Sequence, residues 1–411
     1  MRNRELKDSA IPWIGDIPKD WTVCFIKQIM RNKSIKGYPD EMVLSLYRDY
    51  GVVPKDSRDD NHNVTSEATS SYKFVEVGDF VINKMKAWQG SMAVSDYQGI
   101  ISPAYYICRF ITNEIDRKYI HYLLRNDTYK AEYMRLSSGM RVGQWDLNID
   151  DFLRIKMVLP SLSEQQKIAN FLDRKCAEID EMIALQEKIV EELKAYKQSV
   201  ITETVTKGLN PDVPMKDSGI EWIGEIPEHW KITTIGRLFR VSAGGDAKWD
   251  IYSDKQDSEH PFPVYTNTLD KNQTYAYTSI PVYKGDTITV TGRGDIGRAF
   301  YRKTPFDAII RLLVLEKRYS LDCRYFAYFI NNVIHFFTNS AAIGQLSAVQ
   351  VVPYNLCHPS IEEQTDIADY LDTKCTEIDN LISIKLSKID SLKEYKKSII
   401  YEYVTGKKEV I

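Results

Sequence analysis

Lys7–Trp21 reads KDSAIPWIGDIPKDW, and 209 positions later Lys216–Trp230 reads KDSGIEWIGEIPEHW. Ten of the fifteen paired positions are identical. A second block, Pro160–Glu181, returns at Pro359–Asn380 with thirteen identities in twenty-two positions. Two matches in the same order are the signature of an internal duplication. The sequence therefore predicts two copies of one structural unit, similar at their edges and divergent between them.

The region between the repeated blocks of each copy is rich in Tyr, Val and Ile. Gly-Asp turns lead into β-type runs at Val75–Ile82 and Val282–Val290. Helical segments are predicted at about 116–135 and 322–337. Each copy is therefore expected to have a mixed α/β region, and the chain an α+β fold.

Each copy is predicted to close with a long helix. Ser161 with Glu164, and Ser360 with Glu363, have the spacing of a capping box, which satisfies free amides of the first helical turn. Apolar residues then recur at alternating spacings of four and three, as in helices that pack along a partner helix. The simplest partner is the other copy, and the alternative is a core helix within its own domain. The expected helix-pair interface includes Leu172, Ile179, Ile183, Leu193, Leu371, Ile378, Ile382 and Leu392.

Composition limits the class of protein. The chain has 411 residues, 43% of them hydrophobic, and a formal net charge of −3. It has no apolar run near the roughly 20 residues of a membrane-spanning helix, and no Cys-x-x-Cys pair. We expect a cytoplasmic protein without a membrane segment. The near-neutral charge does not by itself indicate a nucleic-acid partner, although the net negative charge lies in the two long-helix segments, 161–208 and 360–411.

Several catalytic motifs are missing from the sequence. It has no phosphate-binding Gly-x4-Gly-Lys-Ser/Thr, no His-Glu-x-x-His, no Gly-x-Ser-x-Gly and no Pro-Pro-Tyr core of an adenine methyltransferase. Gly292–Gly297 fits Gly-x-Gly-x-x-Gly, but Pro305 follows before a helix of three turns could form. We interpret this segment as a loop, and the chain is not predicted to be an enzyme on its own.

Polar residues in loop segments near glycines are candidates for contact with DNA. Arg and Lys can address guanine edges, Gln can address adenine, and all three can contact phosphates. Ordinary solvated loop residues are the alternative. The candidates are Lys84, Lys86, Gln89, Arg141, Gln144, Arg293, Arg298 and Gln345.

The order of the repeated blocks resembles the specificity subunit of type I restriction-modification systems. The resemblance is carried by Trp13–Pro18 with Trp21, by Ser218–Trp230, and by the Pro-Ser-x-x-Glu-Gln starts of both long helices. The segment Thr206–Pro211 is also similar to the family. The match covers the whole chain, and the regions between the blocks resemble the family's variable target recognition domains.

The resemblance implies two pseudo-twofold-related target recognition domains, at 1–160 and 209–359, joined by two long antiparallel helices at 161–208 and 360–411. Each domain would read one half of a bipartite target on double-stranded DNA, and the helices would set the spacing between half-sites. Two modification (methyltransferase) subunits would bring S-adenosylmethionine and adenine-N6 methylation. Restriction (motor-nuclease) subunits would bring ATP and Mg, giving a phage-defence complex. No cofactor is expected on this chain itself.

A different class of function stays open at this point. The long helices could form a coiled-coil protein-interaction scaffold without any readout of DNA. The recognition hypothesis predicts salt-sensitive, sequence-dependent DNA binding once partners are present, whereas the scaffold predicts none.

Overall fold

The computed structural model describes residues 4–48, 50–57, 69–139, 145–268, 274–294, 296–336 and 344–410. The chain divides into two compact units. The first unit comprises Met1–Gln186 and Ser387–Ile411, and the second unit comprises Glu187–Leu386. Each unit therefore contains one mixed region, the beginning of the long helix that follows it, and the end of the other long helix.

Two long helices, Leu162–Lys207 and Ile361–Val404, occupy the predicted positions. Only the serine half of each predicted capping box is used. The Oγ of Ser161 accepts a hydrogen bond from the Glu164 amide at 3.3 Å, and Ser360 does the same for Glu363 at 3.4 Å. The glutamate carboxylates are occupied by partners from the mixed regions.

A glycine in the left-handed region of backbone conformation follows each long helix, directly after Lys207 and two residues after Val404. Gly208 has φ 78° and Gly406 has φ 73°. The Gly208 amide donates to the Thr204 carbonyl at 3.0 Å, which is the kind of bond that closes a helix C-terminus. A side chain in this conformation is strained, so glycine is favoured there.

Within each unit the two helix segments run antiparallel and share an ion pair. Lys396 Nζ lies 2.6 Å from Asp180 in the first unit, and Lys197 Nζ lies 2.6 Å from Asp379 in the second. The two lysines are repeat-equivalent, and so are the two aspartates. The apolar pattern of each long helix has two polar exceptions, and Lys197 and Lys396 are one exception each. The ion pairs account for these two lysines.

The predicted helix-pair residues lie in the interior of their own units. Leu172, Ile179, Leu371 and Ile378 are buried, and Ile183, Leu193, Ile382 and Leu392 are half-buried. The other polar exception in the first copy, Gln186, is also buried. Its Oε1 has no hydrogen-bond partner among the residues that the structure describes.

The mixed region of the first unit is built on a four-stranded antiparallel sheet. In sheet order its strands are Met30–Lys33, Tyr105–Phe110, Phe80–Asn83 and Met92–Val94. Four two-stranded ladders pair Leu6–Asp8 with Asp16–Pro18, Thr22–Phe25 with Lys156–Leu159, Leu44–Tyr47 with Gly51–Pro54, and Lys73–Val75 with Gly99–Ile101. The helices are Arg117–Arg125, Asp127–Leu136 and Ile149–Leu153.

The second unit repeats this sheet with the same order of equivalent strands. They are Phe239–Ala243, Leu313–Lys317, Thr287–Val290 and Ala299–Arg302. A second four-stranded sheet contains Tyr252–Ser253, Ala276–Thr278, Phe262–Tyr265 and Asp307–Ala308. Two ladders pair Met215–Asp217 with Glu225–Pro227 and Lys231–Thr234 with Asn355–His358. The helices are Ile235–Leu238, Cys323–Val333 and Ala348–Val351.

One helix expected at 116–135 is two helices in the structure. Asn126 separates them, and its side-chain oxygen accepts from the Thr128 amide at 3.0 Å, so the residue caps a new helix instead of continuing the old one. The counterpart in the second unit, Cys323–Val333, is a single helix that ends before the expected residue 337.

A buried tryptophan holds the beginning of the long helix in each unit. Trp21 Nε1 donates to the Glu164 carboxylate at 3.1 Å, and Trp230 Nε1 donates to Glu363 at the same distance. Both indole rings are at most 1% exposed. The conspicuous Trp of the repeated block therefore positions a helix from inside the core.

A buried tyrosine holds the end of the other long helix. Tyr119 OH donates to the Val404 carbonyl at 3.0 Å, and Tyr325 OH donates to the Val205 carbonyl at 3.0 Å. Burial raises the pKa of both phenols well above its usual range, so both remain donors. Each mixed region thus contacts the start of its own helix and the end of the other copy's helix.

Among the described residues, every helix is too short or too polar to span a lipid bilayer.

Candidate nucleic-acid interface

Lys73 of the first unit is repelled by the positive charges of two other lysines. Lys73 Nζ donates to the Tyr105 carbonyl at 2.6 Å and lies 5.5 Å from the centre of the Tyr106 ring. Burial lowers the pKa of Lys73, and the positive charges of Lys84 and Lys36 lower it further. We call Lys36, Lys73 and Lys84 the lysine cluster. Like charges held together favour an anionic partner, because a polyanion relieves their repulsion.

Among the residues that the structure describes, Lys84 is the member of the lysine cluster that has an acidic partner. Lys84 Nζ lies 3.4 Å from an Asp146 carboxylate oxygen, and the side chains are 32% and 44% exposed. Lys73 is bonded to a carbonyl oxygen, which carries no full charge. The cluster therefore retains positive charge that a phosphate group could neutralise.

An aromatic pair follows the lysine cluster along the chain. The Trp88 and Trp145 ring centroids are 5.6 Å apart, and both residues are half-buried. Trp88 Nε1 donates to the Met85 carbonyl at 3.2 Å, which fixes the indole beside the loop that contains Lys84. Aromatic rings next to basic side chains are typical of surfaces that bind single-stranded nucleic acid, because unpaired bases stack on them.

The structure separates the first copy's predicted DNA contacts. Lys84 belongs to the lysine cluster, and Lys86 is exposed just before the 3-10 turn Ala87–Gln89. Gln89 lines a cleft of about 970 Å³ whose walls include the long-helix residues Asp180 and Lys396. Lys84 and Lys86 do not line that cleft. Arg141 and Gln144 lie outside the described residues.

In the second unit the structure brings two predicted residues together. Arg293 and Gln345 form an isolated antiparallel bridge, and an Arg293 guanidinium nitrogen lies 3.4 Å from Gln345 Oε1. The Leu346 amide donates to the Gly292 carbonyl at 2.9 Å. Arg298 is exposed, and its amide donates to Thr291 Oγ1 at 2.9 Å at the start of the next strand.

The described residues of the Gly-x-Gly-x-x-Gly segment, 292–294 and 296–297, lie outside helices and strands, which agrees with the loop predicted from the sequence. The segment connects the strand Thr287–Val290 to the strand Ala299–Arg302. A dinucleotide site of that type requires a helix N-terminus within the motif to hold the pyrophosphate. Here the motif is followed by the strand Ala299–Arg302 and not by a helix.

Each unit has one equivalent backbone hydrogen bond in these loops, but the side chains beside it differ between the units. The Leu147 amide donates to the Lys84 carbonyl at 3.0 Å, which matches the bond from Leu346 to Gly292. Lys84 of the first unit therefore corresponds to Gly292, and Asp146 corresponds to Gln345. The same backbone arrangement displays an ion pair in one unit and a neutral amide beside an arginine in the other.

Sequence reasoning missed residues in the lysine cluster and near the Arg293–Gln345 bridge. Lys36 and Lys73 lie far from Lys84 along the chain, and their electrostatic interaction arises only in the folded chain. In the second unit, Ile310 and Arg311 form a turn with positive φ values of 54° and 58°. Alternating aromatic and basic residues in Tyr72–Phe74 were a weak signal for the first place, whereas nothing in the sequence indicates the turn.

Within the described parts of the chain, no group of three His, Cys, Asp or Glu side chains could hold a metal ion.

Comparison with known proteins identifies the family. Residues 18–195 and 227–405 each match the family described as "Type I restriction modification DNA specificity domain". Two Methanocaldococcus jannaschii proteins, named as specificity subunits of the MjaX and MjaVIII type I restriction enzymes, are each 24% identical to this chain. The matches cover 96% and 95% of this chain, and 95% and 93% of those proteins.

Solved structures show the same fold. A chain from a study of complex assembly and conformational transition of the type I R-M system matches with a TM-score of 0.75, covering 94% of this chain and 98% of that chain. The HsdS subunit from Thermoanaerobacter tengcongensis matches with a TM-score of 0.56, covering 95% and 98%. Both are 14% identical to this chain. With two specificity domains that together span most of its length, the chain belongs to the type I restriction-modification DNA specificity family.

Proposed function

We propose that this chain reads a bipartite DNA sequence for a type I restriction-modification complex and has no active site of its own. The mixed regions within 1–160 and 209–359 each read one half-site. The observation that carries this proposal is the shared backbone arrangement with unlike side chains, Lys84 with Asp146 in one unit and Gly292 with Gln345 in the other. Two copies of one scaffold that differ at such loops suit a target with two unlike halves.

The long helices set the distance between the half-sites. The ion pairs Asp180–Lys396 and Lys197–Asp379 support this role, because each specifies one antiparallel register within its unit. A shift of one helical turn would separate both pairs. Helices of 46 and 44 residues with a specified register are suited to act as a spacer.

Two methyltransferase subunits dock on this chain and bring S-adenosylmethionine and adenine-N6 methylation. Restriction subunits bring ATP and Mg and add cleavage, and the complex defends the cytoplasm against phage DNA. Exposed apolar side chains at repeat-equivalent positions of the long helices support two equivalent docking surfaces. They are Met182 and Leu185 in the first unit and Leu381 and Ile384 in the second.

Co-expression with the adjacent modification subunit tests the recognition role. Sequencing the host DNA for N6-methyladenine should give a single two-part motif with a constant spacer. Exchanging residues 22–159 for those of a relative should change one half of the motif and leave the other half and the spacer unchanged. A stable complex that methylates no defined motif would contradict the proposal and favour the interaction scaffold.

Lys73→Gln should weaken DNA binding by the assembled complex without changing the motif. Removing one phosphate contact is expected to reduce the slope of log affinity against log salt by about 1. The measurement is a salt titration of binding to the cognate duplex. Lys19→Gln is the matched control, because Lys19 is exposed and paired with Glu5 at 2.8 Å. An equal change in both variants would count against a phosphate contact at the lysine cluster.

A further inference from the structure

The turn Ile310–Arg311 of the second unit has an unusual backbone. Both residues have positive φ, 54° and 58°, and neither is glycine. This conformation is disfavoured for side chains, and most of all for a β-branched residue such as isoleucine. Such strain persists only where the surroundings hold it, and it concentrates at functional sites.

The side chain of Asn267 holds this turn against a neighbouring loop. Its Nδ2 donates to the Ile310 carbonyl at 2.7 Å, and its Oδ1 accepts from the Gly292 amide at 2.7 Å. The Ile310 amide donates to the Gly245 carbonyl at 2.9 Å. One asparagine therefore joins two loops and uses both ends of its amide to do so.

Three loops meet at Gly292. A Cβ on Gly292 would lie 2.9 Å from the Leu346 carbonyl oxygen and 3.1 Å from the Arg311 carbonyl oxygen. These distances are shorter than nearly all real Cβ contacts, so the three backbones meet as closely as they do only because this residue is glycine. We call residues 291–294, 309–312 and 344–346 the three-loop platform.

The platform presents basic side chains to solvent from a fixed backbone. Arg293 and Arg311 are exposed, and Gln345 is half-buried beside Arg293. Within the described residues, the Arg311 guanidinium makes no hydrogen bond or ion pair. A guanidinium carries a planar fork of donors that matches the O6 and N7 atoms of guanine.

We propose that Arg311 is a specificity-determining residue that reads a guanine edge in the half-site of the second unit, with Asn267 as its positioning residue. This inference rests on the proposed function. A phosphate contact tolerates a mobile side chain on any surface loop and needs no strained turn. A base-edge contact requires the Cα to be held in one place, which the clamp provides.

Arg311→Lys and Arg311→Ala test the proposal in the complex with the methyltransferase subunit. Mapping of methylated sites should show one position in one half-site relaxing from guanine to several bases. Discrimination at that position should fall on the order of tenfold or more, and the other half-site should stay unchanged. Arg318→Ala is the matched control, because Arg318 is exposed just beyond the other end of the strand Leu313–Lys317. The control should leave the motif intact.

Two results would overturn the proposal. One is an unchanged motif in both Arg311 variants, and the other is an equal loss at all sites without altered base preference, which indicates a phosphate contact. If Arg311→Ala abolishes methylation, the affinity of the purified complex is measured for duplexes that differ from the target at one base. Lost discrimination at one base position supports the proposal, and an equal loss of affinity for every duplex overturns it. Failure of the proposed function itself is distinguishable, because the unmodified chain would then give no two-part motif.

Asn267→Asp tests the positioning role. It keeps the acceptor for the Gly292 amide but replaces the donor to the Ile310 carbonyl. The same base position should relax as in Arg311→Ala. A merely structural role would instead lower thermal stability and leave the motif intact, and that outcome would remove Asn267 from the proposal.

Discussion

Val404→Asp should unfold the first unit and leave the second unit folded. Val404 is fully buried near the end of the second long helix, and it belongs to the core that contains Trp21 and Tyr119. An uncompensated buried charge costs about 3–5 kcal/mol. That is a large part of the 5–15 kcal/mol typical of a domain. The effect should appear in the mixed region that lies far away in sequence, not in the one that precedes this helix.

Hydrogen exchange measured by mass spectrometry locates the effect. In Val404→Asp, peptides within 11–158 should lose protection, and peptides within 220–358 should keep it. Val205→Asp is the matched variant, because Val205 is fully buried in the core of the second unit and its carbonyl accepts from Tyr325. The pattern should then reverse. Loss of protection on the same side in both variants would show that the helix ends do not complete the units as described.

Leu185→Asp should release one methyltransferase subunit from the complex, and Ile384→Asp should release the other. Leu185 is 56% exposed and Ile384 is 62% exposed, which is unusual for large apolar side chains. An aspartate at the centre of an apolar interface is desolvated and unpaired, and we expect this to cost about 2 kcal/mol or more, roughly thirtyfold in affinity. The double variant should lose both subunits and all methylation.

The mass of the co-purified complex gives the number of bound subunits. Stability of the chain alone should change little, because substitutions at exposed positions are nearly neutral. Ala184→Asp and Ser383→Asp are the controls, since they add the same charge at exposed neighbouring positions about 100° around the helix. Full recovery of both subunits with Leu185→Asp and Ile384→Asp would place the docking surface elsewhere.

Parts of the candidate site were predictable and parts were not. The sequence predicted Lys84, Arg293 and Gln345 as candidate DNA contacts from basic and amide residues in loops near glycines, and their contact with DNA stays a prediction. Gln89 has the same local pattern, yet it lines a cleft with the long helices. Local sequence places a residue on a loop, but the direction in which that loop faces depends on what packs behind it.

The sequence by itself determined the duplication, the two long helices and their apolar pattern. The duplication is visible when two stretches of the sequence are compared directly, and the helices depend on residues within one or two helical turns, such as Ser161 at the helix start. Pattern and spacing are local properties, so they can be read before any tertiary contact is known.

Only the tertiary structure decided which helix end completes which unit, and where the backbone is strained. Val205 and Val404 are repeat-equivalent, so periodicity cannot distinguish their partners, whereas Tyr119 and Tyr325 each contact one of them. The left-handed turn at Ile310 depends on Asn267, which lies 43 residues away. Ile310 and Asn267 do not by themselves indicate a left-handed turn in the sequence. The hydrogen bond between them forms only once the strands that separate them along the chain have paired.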